Sequence, residues 1–201
     1  MNNSPLSLNP LRQELANEFA AFINPHYVIA DRETQKPYEC DGLAAYTAMP
    51  LLVVLPETVE QVQQVMQLCH KRGVAVIARG AGTGLCAGAM PNEDAVVVSL
   101  AKFTHILSID PLARTATLQP GVRNLAISDA AAEYGLYYGP DPSSQIACSI
   151  GGNVAENSGG VHCLKYGLTV HNVLSVEMIT VEGEKVRLGS EGLDVAGIDL
   201  M

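Results

Sequence analysis

The sequence predicts a mixed α+β fold with two lobes, a small β-α-β lobe followed by a mainly antiparallel lobe. Three observations predict it: short apolar runs typical of buried strands, an amphipathic helix between the first two of them, and glycine-rich loops after the second. The chain has 201 residues, of which 48% are hydrophobic and 16% charged. Such a composition is globular, and this length suits one domain or two small ones.

The chain starts with a predicted helix, because Asn9 and Pro10 provide an N-cap and a preset first turn. The apolar positions of this helix repeat at helical spacing and are Leu11, Leu15, Phe19 and Phe22. Residues 24–50 are rich in Pro, Tyr and Asp and are expected to be irregular.

A β-α-β unit follows. Residues 51–55 form an apolar run that predicts a buried strand. The next helix begins with a capping box, Thr58 with Gln61, and ends at Gly73. Residues 75–78 then predict a second buried strand, which leads directly into the first glycine-rich loop.

The rest of the chain predicts further strands joined by turns. A turn at residues 91–94 precedes the first of them, and a helix near residues 124–134 ends at Gly135. A hairpin turn is expected at residues 182–184. The predicted strands are residues 95–100, 106–109, 115–118, 173–181 and 185–188.

The net charge of −9 disfavours a nucleic-acid-binding surface, which needs clustered Lys and Arg. The five cysteines contain no C-x-x-C pair and suit a reducing cytosol. We find neither a secretory signal nor a membrane-spanning stretch, so a cytoplasmic protein is expected, with peripheral attachment to the inner face of a membrane left open. No metal site is expected, because Cys148, His162, Cys163 and His171 match no zinc spacing.

The first candidate site is the loop of residues 79–85, with alternating glycines at Gly80, Gly82 and Gly84. Glycine lets the backbone approach a ligand closely, so successive N–H groups can converge on an anion. Residues 82–87 match the dinucleotide pattern G-x-G-x-x-G/A, but a turn and a strand follow where that pattern requires a helix. We therefore reject an NAD-type Rossmann unit. An ordinary tight turn remains the alternative.

The second candidate site is the polar segment of residues 140–160, which contains the pairs Gly151-Gly152 and Gly159-Gly160. Ser149 is placed to cap a short helix whose N-terminus faces a phosphate. A surface loop is the alternative. Two such segments in one small chain favour a single extended anionic ligand that contacts both.

Several motifs together resemble the FAD-binding domain of the vanillyl-alcohol oxidase and p-cresol methylhydroxylase superfamily (PCMH type). They are residues 79–85, 119–122, 140–160 and 165–167, in that order. Within the superfamily, residues 38–43, 141–146 and 159–167 are similar to the bacterial glycolate oxidase flavoprotein subunits. The resemblance covers nearly the whole chain after about residue 36.

The resemblance implies an N-terminal helix and irregular lead-in at residues 1–45, followed by an FAD-binding domain at residues 46–201. Lobe one of this domain is expected at about residues 46–108 and lobe two at about 109–201, with an incomplete C-terminal end. It implies that the loop amides hold the FAD pyrophosphate and that the strand around Ile179 lies near the adenine. Because the first loop has Thr83 and no histidine, noncovalent FAD is expected. The implied cofactor-binding residues are Arg79, Gly80, Ala81, Gly82, Thr83, Gly84, Leu85, Pro140, Asp141, Ser149, Gly151, Gly152, Asn157, Gly160 and Ile179.

The implied activity is oxidation of a 2-hydroxy acid, glycolate or D-lactate, to the 2-oxo acid by hydride transfer to FAD. Catalytic residues are expected outside this chain, in a cap domain and a C-terminal segment that relatives carry. The implied partners are an iron–sulfur subunit and a second flavin-type subunit. Two alternatives stay open. One is a non-catalytic FAD-binding or assembly module. The other is a flavin domain for different chemistry, such as a cell-wall enolpyruvyl reductase, and the sequence of residues 140–167 disfavours it.

Overall fold

The computed structural model describes residues 10–189 and divides them between a four-stranded sheet flanked by helices and two separate β-hairpins. The strands are β1 Val28–Ile29, β2 Leu52–Val54, β3 Ala75–Arg79, β4 Ala95–Ser99, β5 Ile106–Asp110, β6 Thr115–Leu118, β7 Ser175–Ile179 and β8 Lys185–Gly189. The α-helices are α1 Pro10–Ala20, α2 Arg32–Gln35, α3 Val59–Arg72, α4 Asn124–Ala131, α5 Ile150–Glu156 and α6 Cys163–Tyr166. Short 3₁₀ helices occupy Pro25–Tyr27, Lys36–Tyr38, Ala132–Tyr134 and Thr169–Asn172.

The β-α-β unit is confirmed, with strand ends that differ by one residue from those predicted. The Thr58 side chain accepts a hydrogen bond from the Gln61 amide at 3.3 Å. In a capping box the Gln61 side chain would accept a hydrogen bond from the Thr58 amide. Here it accepts one from the amide of the preceding residue, Glu57, at 2.6 Å, and Thr58 has an extended backbone. Gly73 ends α3 in the left-handed conformation, as glycine readily does.

One prediction for the first lobe needs correction, and the order of its strands is a new finding. Residues 24–50 are not wholly irregular, since β1 pairs antiparallel with β2 and adds an edge strand to the sheet. The order of the sheet is β1-β2-β4-β3, so β4 lies between the two strands of the β-α-β unit and is parallel to both. A central strand that is buried on both faces has a continuous apolar sequence, and such a sequence does not indicate which strands pair with it.

The core lies between α1, α3 and this sheet. Leu15 and Phe19 of α1 are fully buried, as are Val65 of α3 and Val96 of β4. Each such side chain contributes about 1.5–3 kcal/mol by leaving water. Burial also raises the pKa of the Cys69 thiol to about 11, so this thiol stays protonated and acts as a small apolar residue. The predicted N-cap residue Asn9 lies outside the described residues.

The second lobe is built from the two hairpins β5–β6 and β7–β8 and the helices between them. Its predicted strands, the helix that ends at Gly135 and the hairpin turn around Gly183 are confirmed. Gln63 of α3 donates a hydrogen bond to the Gly183 carbonyl at 2.9 Å, which ties the β7–β8 hairpin to the first lobe. Within the described residues, no helix is both long and apolar enough to cross a membrane.

Candidate cofactor-binding site

The two glycine-rich segments meet in space. Gly80 directly follows β3, and a Cβ atom added there would collide with the Ser149 hydroxyl at the start of α5. The same Cβ would lie 3.7 Å from the Cα atom of Gly152. A side chain at position 80 would therefore displace the Ser149 hydroxyl, and the structure brings together residues that the sequence predicted to share one ligand.

A cavity of about 480 Å³ opens where these segments meet. The glycine loop lines it, together with the connection between β4 and β5, the connection between β6 and α4, and the start of α5. The lining residues are Gly80, Ala81, Ala101, Thr104, Ile106, Gly121, Val122, Arg123, Ala126, Ala147 and Ser149. Arg123 is the cation among them, which suits an anionic ligand. Its side chain is exposed at the start of α4.

Two buried polar side chains at or near the start of α5 lack hydrogen-bond partners within the described residues. The Ser149 hydroxyl, in a residue that is only 5% exposed, makes no hydrogen bond, and neither does the side-chain NH₂ of Asn153, which is 1% exposed. A buried polar group without a partner costs about 1–3 kcal/mol. Ser149 lines the cavity, so a bound ligand with acceptor oxygens would supply its missing partner. These residues fit a phosphate-containing cofactor.

Helix α5 is held in place by the segment that precedes α4. The Ile150 amide donates to the Val122 carbonyl and the Gly151 amide to the Pro120 carbonyl, each at 2.8 Å. A Cβ atom on Gly151 would come within 2.7 Å of the Pro120 Cβ atom, so glycine is needed for this docking. Two of the first amides of α5 are therefore already occupied, and the Ser149 hydroxyl, which caps no backbone amide, is left to contact a ligand.

The Arg79 side chain faces the protein interior. Its guanidinium donates to the carbonyls of Cys40 at 2.7 Å, Pro37 at 3.2 Å and Ala89 at 3.3 Å, and it stacks over the Tyr38 ring at 5.4 Å. Burial lowers the pKa of this guanidinium, against the opposing effect of nearby Tyr38 and other groups. Because its donors bond to backbone carbonyls in the protein interior, Arg79 stabilises the position of the loop and does not offer these donors to a ligand.

Asp141 and His162 form a second polar centre in the segment of residues 140–167. The Asp141 carboxylate is 2.6 Å from the His162 ring nitrogen Nδ1 and also accepts a bond from the His162 amide at 3.3 Å. Gly160 packs so closely on Asp141 that a Cβ atom there would overlap its backbone. Partial burial tends to raise the pKa of Asp141, but the hydrogen bonds and charge of His162 outweigh burial and lower it.

We expect carboxyl-carbon NMR titration of the chain to give Asp141 a pKa below its ordinary 3.8. In the His162→Ala variant, the lowering contacts disappear and the effect of burial remains, so the pKa should rise above that of the unmodified chain. Because the folded-state value is depressed, the stabilisation from this pair is present above the ordinary value and is lost as pH falls through the lowered one. An Asp141 pKa that does not change in His162→Ala would contradict this assignment.

Of the predicted site residues, Gly80, Ala81 and Ser149 line the cavity, and the others are not among its lining residues. The Pro140 carbonyl accepts a bond from the buried Asn124 side chain at 3.1 Å, and Asn157 ends α5 with a positive φ of 48°. Leu85 is exposed. Ile179 lies in β7 opposite Lys185, on the hairpin that contacts α3. The cavity-lining residues that sequence reasoning missed come mostly from 101–106 and 121–126; the motif of residues 119–122 was the one signal that pointed there.

The fold is a two-lobed domain in which two glycine-rich segments meet at a cavity whose lining suits a phosphate-containing cofactor. Residues 50–189 match the family described as FAD binding domain. The chain therefore belongs to this family, and FAD is its cofactor.

Curated relatives extend this result. The chain is 62% identical over 165 residues to the glycolate oxidase subunit GlcD of Escherichia coli strain K12, covering 82% of this chain and 33% of that subunit. It is 36% identical over 149 residues to the D-lactate dehydrogenase of Archaeoglobus fulgidus, covering 74% and 33% of the two chains. It is 32% identical over 187 residues to the D-2-hydroxyglutarate dehydrogenase of Stutzerimonas stutzeri, covering 92% and 40%. The chain thus spans between a third and two fifths of the length of these relatives.

A solved structure of alkyldihydroxyacetonephosphate synthase has the same fold. It superposes with a TM-score of 0.79 at 24% sequence identity, covering 94% of this chain and 36% of that one. The predicted PCMH-type α+β architecture is confirmed.

Proposed function

We propose that this chain is the FAD-binding part of an enzyme that oxidises a small 2-hydroxy acid to the 2-oxo acid. The observation that carries the proposal is the cavity between the glycine loop and α5, with the unpaired Ser149 hydroxyl at its wall. The three relatives described above are named for glycolate, D-lactate and D-2-hydroxyglutarate, and all three compounds are 2-hydroxy acids. Since the chain is most similar to GlcD among these three, glycolate is the first substrate to test.

When bound, FAD supplies the hydride-accepting chemistry for the α-carbon of such an acid. The residues of this chain hold the cofactor. The backbone amides of Gly80 and Ala81 and the Ser149 hydroxyl are cavity-lining donors suited to the pyrophosphate, and Arg123 adds a positive charge at the cavity. The first loop has no histidine, which supports noncovalent binding. We assign no proton-transferring residue to the described part of the chain.

We also propose that the protein works in an assembly with an iron–sulfur subunit and a second flavin-type subunit, which accept the electrons. The similar Escherichia coli protein is itself named a subunit. Beyond the cavity, Val161 and Leu164 are large apolar side chains left open to water, Leu164 being 99% exposed. Exposed apolar groups this close to a site favour a surface that another polypeptide covers. A peripheral position at the inner face of a membrane remains part of this proposal.

The test of the proposed function is a chimera in which this chain replaces the matching third of Escherichia coli GlcD. The high identity makes compatible packing with the remaining two thirds feasible. We expect the chimera to contain FAD that acid precipitation releases, and we expect glycolate to bleach its flavin absorbance under anaerobic conditions. D-Lactate and D-2-hydroxyglutarate, added separately, show whether other 2-hydroxy acids also reduce the flavin held by this domain.

The unmodified GlcD subunit is the control for the chimera. A chimera that binds FAD but whose flavin is not reduced by any of the three acids would contradict the proposed activity and favour the alternative of a non-catalytic FAD-binding module. A chain that is folded and colourless after incubation with FAD would contradict the cofactor assignment itself.

A further inference from the structure

The segment of residues 38–43 contacts the glycine loop, although it precedes the part of the chain that matches the FAD-binding family. It follows the 3₁₀ helix Lys36–Tyr38 and has no regular secondary structure after Tyr38. The Cys40 carbonyl of this segment accepts the bond from Arg79 described above, and Asp41 and Gly42 make two further contacts, with Ala87 and Gly84.

The Asp41 carboxylate makes the first contact. It is only 7% exposed. One oxygen, Oδ1, accepts a hydrogen bond from the Leu43 amide at 2.9 Å, and the other, Oδ2, accepts one from the Ala87 amide at 2.7 Å. Hydrogen bonds to a charged group are worth about 1.5–3 kcal/mol each. The first bond fixes the carboxylate in its own turn, so the second connects that turn to Ala87, two residues beyond the glycine loop of residues 79–85.

Gly42 makes the second contact. Its amide donates to the Gly84 carbonyl at 2.9 Å. A Cβ atom on Gly42 would lie 2.9 Å from the Thr83 carbonyl oxygen and 3.0 Å from that of Gly84. The backbone of residues 83–84 is therefore pressed against Gly42, and its carbonyls are turned toward this segment.

Ala87 shows why the loop needs such support. It has a positive φ of 61°, which costs a residue with a side chain about 1–2 kcal/mol. Backbone strain of this kind persists where surrounding contacts hold it, and it concentrates at ligand-binding sites. The amide that donates a hydrogen bond to Asp41 belongs to this strained residue, Ala87. This hydrogen bond therefore stabilises a strained backbone conformation that would otherwise relax to a less strained one.

We propose that Asp41 is a positioning residue of the cofactor site, and that with Gly42 it fixes the glycine loop before FAD binds. Asp41 contacts Ala87, beyond the loop's glycines, and acts on FAD only through the loop. Preorganisation of this kind raises affinity because a loop that is already ordered loses less conformational freedom on binding. The proposal rests on the FAD-binding role in the proposed function and adds a determinant of affinity outside residues 50–189.

The test is FAD affinity of the whole chain, measured by quenching of flavin fluorescence. Asp41→Asn keeps the size of the side chain but replaces one of its two acceptor oxygens with an NH₂ group. Gly42→Ala disturbs the second contact without a change of charge. We expect each variant to raise the Kd for FAD by about tenfold or more, Asp41→Asn because it loses one bond and Gly42→Ala because its methyl group displaces the backbone of residues 83–84. Glu39→Gln, which removes a neighbouring carboxylate with no side-chain bond to the loop, should leave the Kd unchanged.

A second readout separates positioning from simple loss of stability. Thermal unfolding is measured with and without FAD, and limited proteolysis follows cleavage at residues 85–90 of the cofactor-free chain. Positioning predicts faster cleavage there and a smaller FAD-induced rise in Tm. Variants whose cofactor-free Tm falls while their Kd for FAD stays at the unmodified value would overturn the proposal. If the unmodified chain binds no FAD, the proposed FAD-binding function fails and the positioning role fails with it. That result is distinguishable from the previous one, in which the unmodified chain binds FAD and the variants bind it equally well.

Discussion

Gly82→Val is expected to abolish FAD retention by the chain. Gly82 has a positive φ of 70°, which is strongly disfavoured for a β-branched residue. A Cβ atom there would also lie 2.6 Å from the Cζ atom of the Arg79 guanidinium. Because that guanidinium is fixed by backbone carbonyls, the loop must move instead, and the amides of residues 80–84 lose their arrangement. We expect the Kd for FAD to rise at least ~100-fold, about 2.7 kcal/mol.

Flavin content after purification and titration with FAD measure this effect. Gly135→Val is the matched control, because Gly135 has nearly the same φ of 68° but nothing within 4 Å of an added Cβ atom. It carries the same kind of backbone strain away from the cavity, so it should lower Tm and leave FAD binding intact. Normal flavin content in Gly82→Val would contradict the role of this loop.

Arg79→Met is expected to produce the largest loss of stability. The substitution leaves the apolar stem in place and removes the donors to the Cys40, Pro37 and Ala89 carbonyls. Those carbonyls then lack partners in a partly buried position. Since each lost bond to a charged donor is worth about 1.5–3 kcal/mol and neighbouring losses are not additive, we expect the free energy of unfolding to fall by about 2–4 kcal/mol. Urea denaturation of the cofactor-free chain measures it.

Arg72→Met is the control for this prediction. Arg72 forms ion pairs with Glu14 and Glu18 on the surface, with about a third of its side chain exposed, and such pairs contribute about 0–1 kcal/mol. If Arg79→Met costs no more stability than Arg72→Met, the support that we assign to Arg79 is wrong.

The double variant Arg79→Met, Gly82→Val tests the contact between the two positions. A flexible methionine can yield to the valine side chain where the anchored guanidinium cannot. The loss of stability in the double variant should therefore be smaller than the sum of the two single losses. Strict additivity would show that the two residues do not interact.

The sequence by itself determined the local elements and the kind of ligand. The β-α-β unit, the helix cap at Gly73 and the glycine loop follow from apolar spacing and glycine positions. These are short-range properties of the chain, since helix caps and strand runs depend on neighbouring residues. The absence of a helix after the loop also excluded a Rossmann unit, and the structure has none between Arg79 and Ala95.

Only the tertiary structure decided which groups face the ligand and which face the protein. The sequence placed Arg79 in the candidate site, but its side chain turns to carbonyls that precede it by about forty residues in the chain. The approach of Gly80 to Ser149 and the bond from Ala87 to Asp41 likewise join segments that are distant in sequence. Such contacts depend on how β4 inserts between β2 and β3 and on how the lobes pack, and local residue patterns carry no information about either.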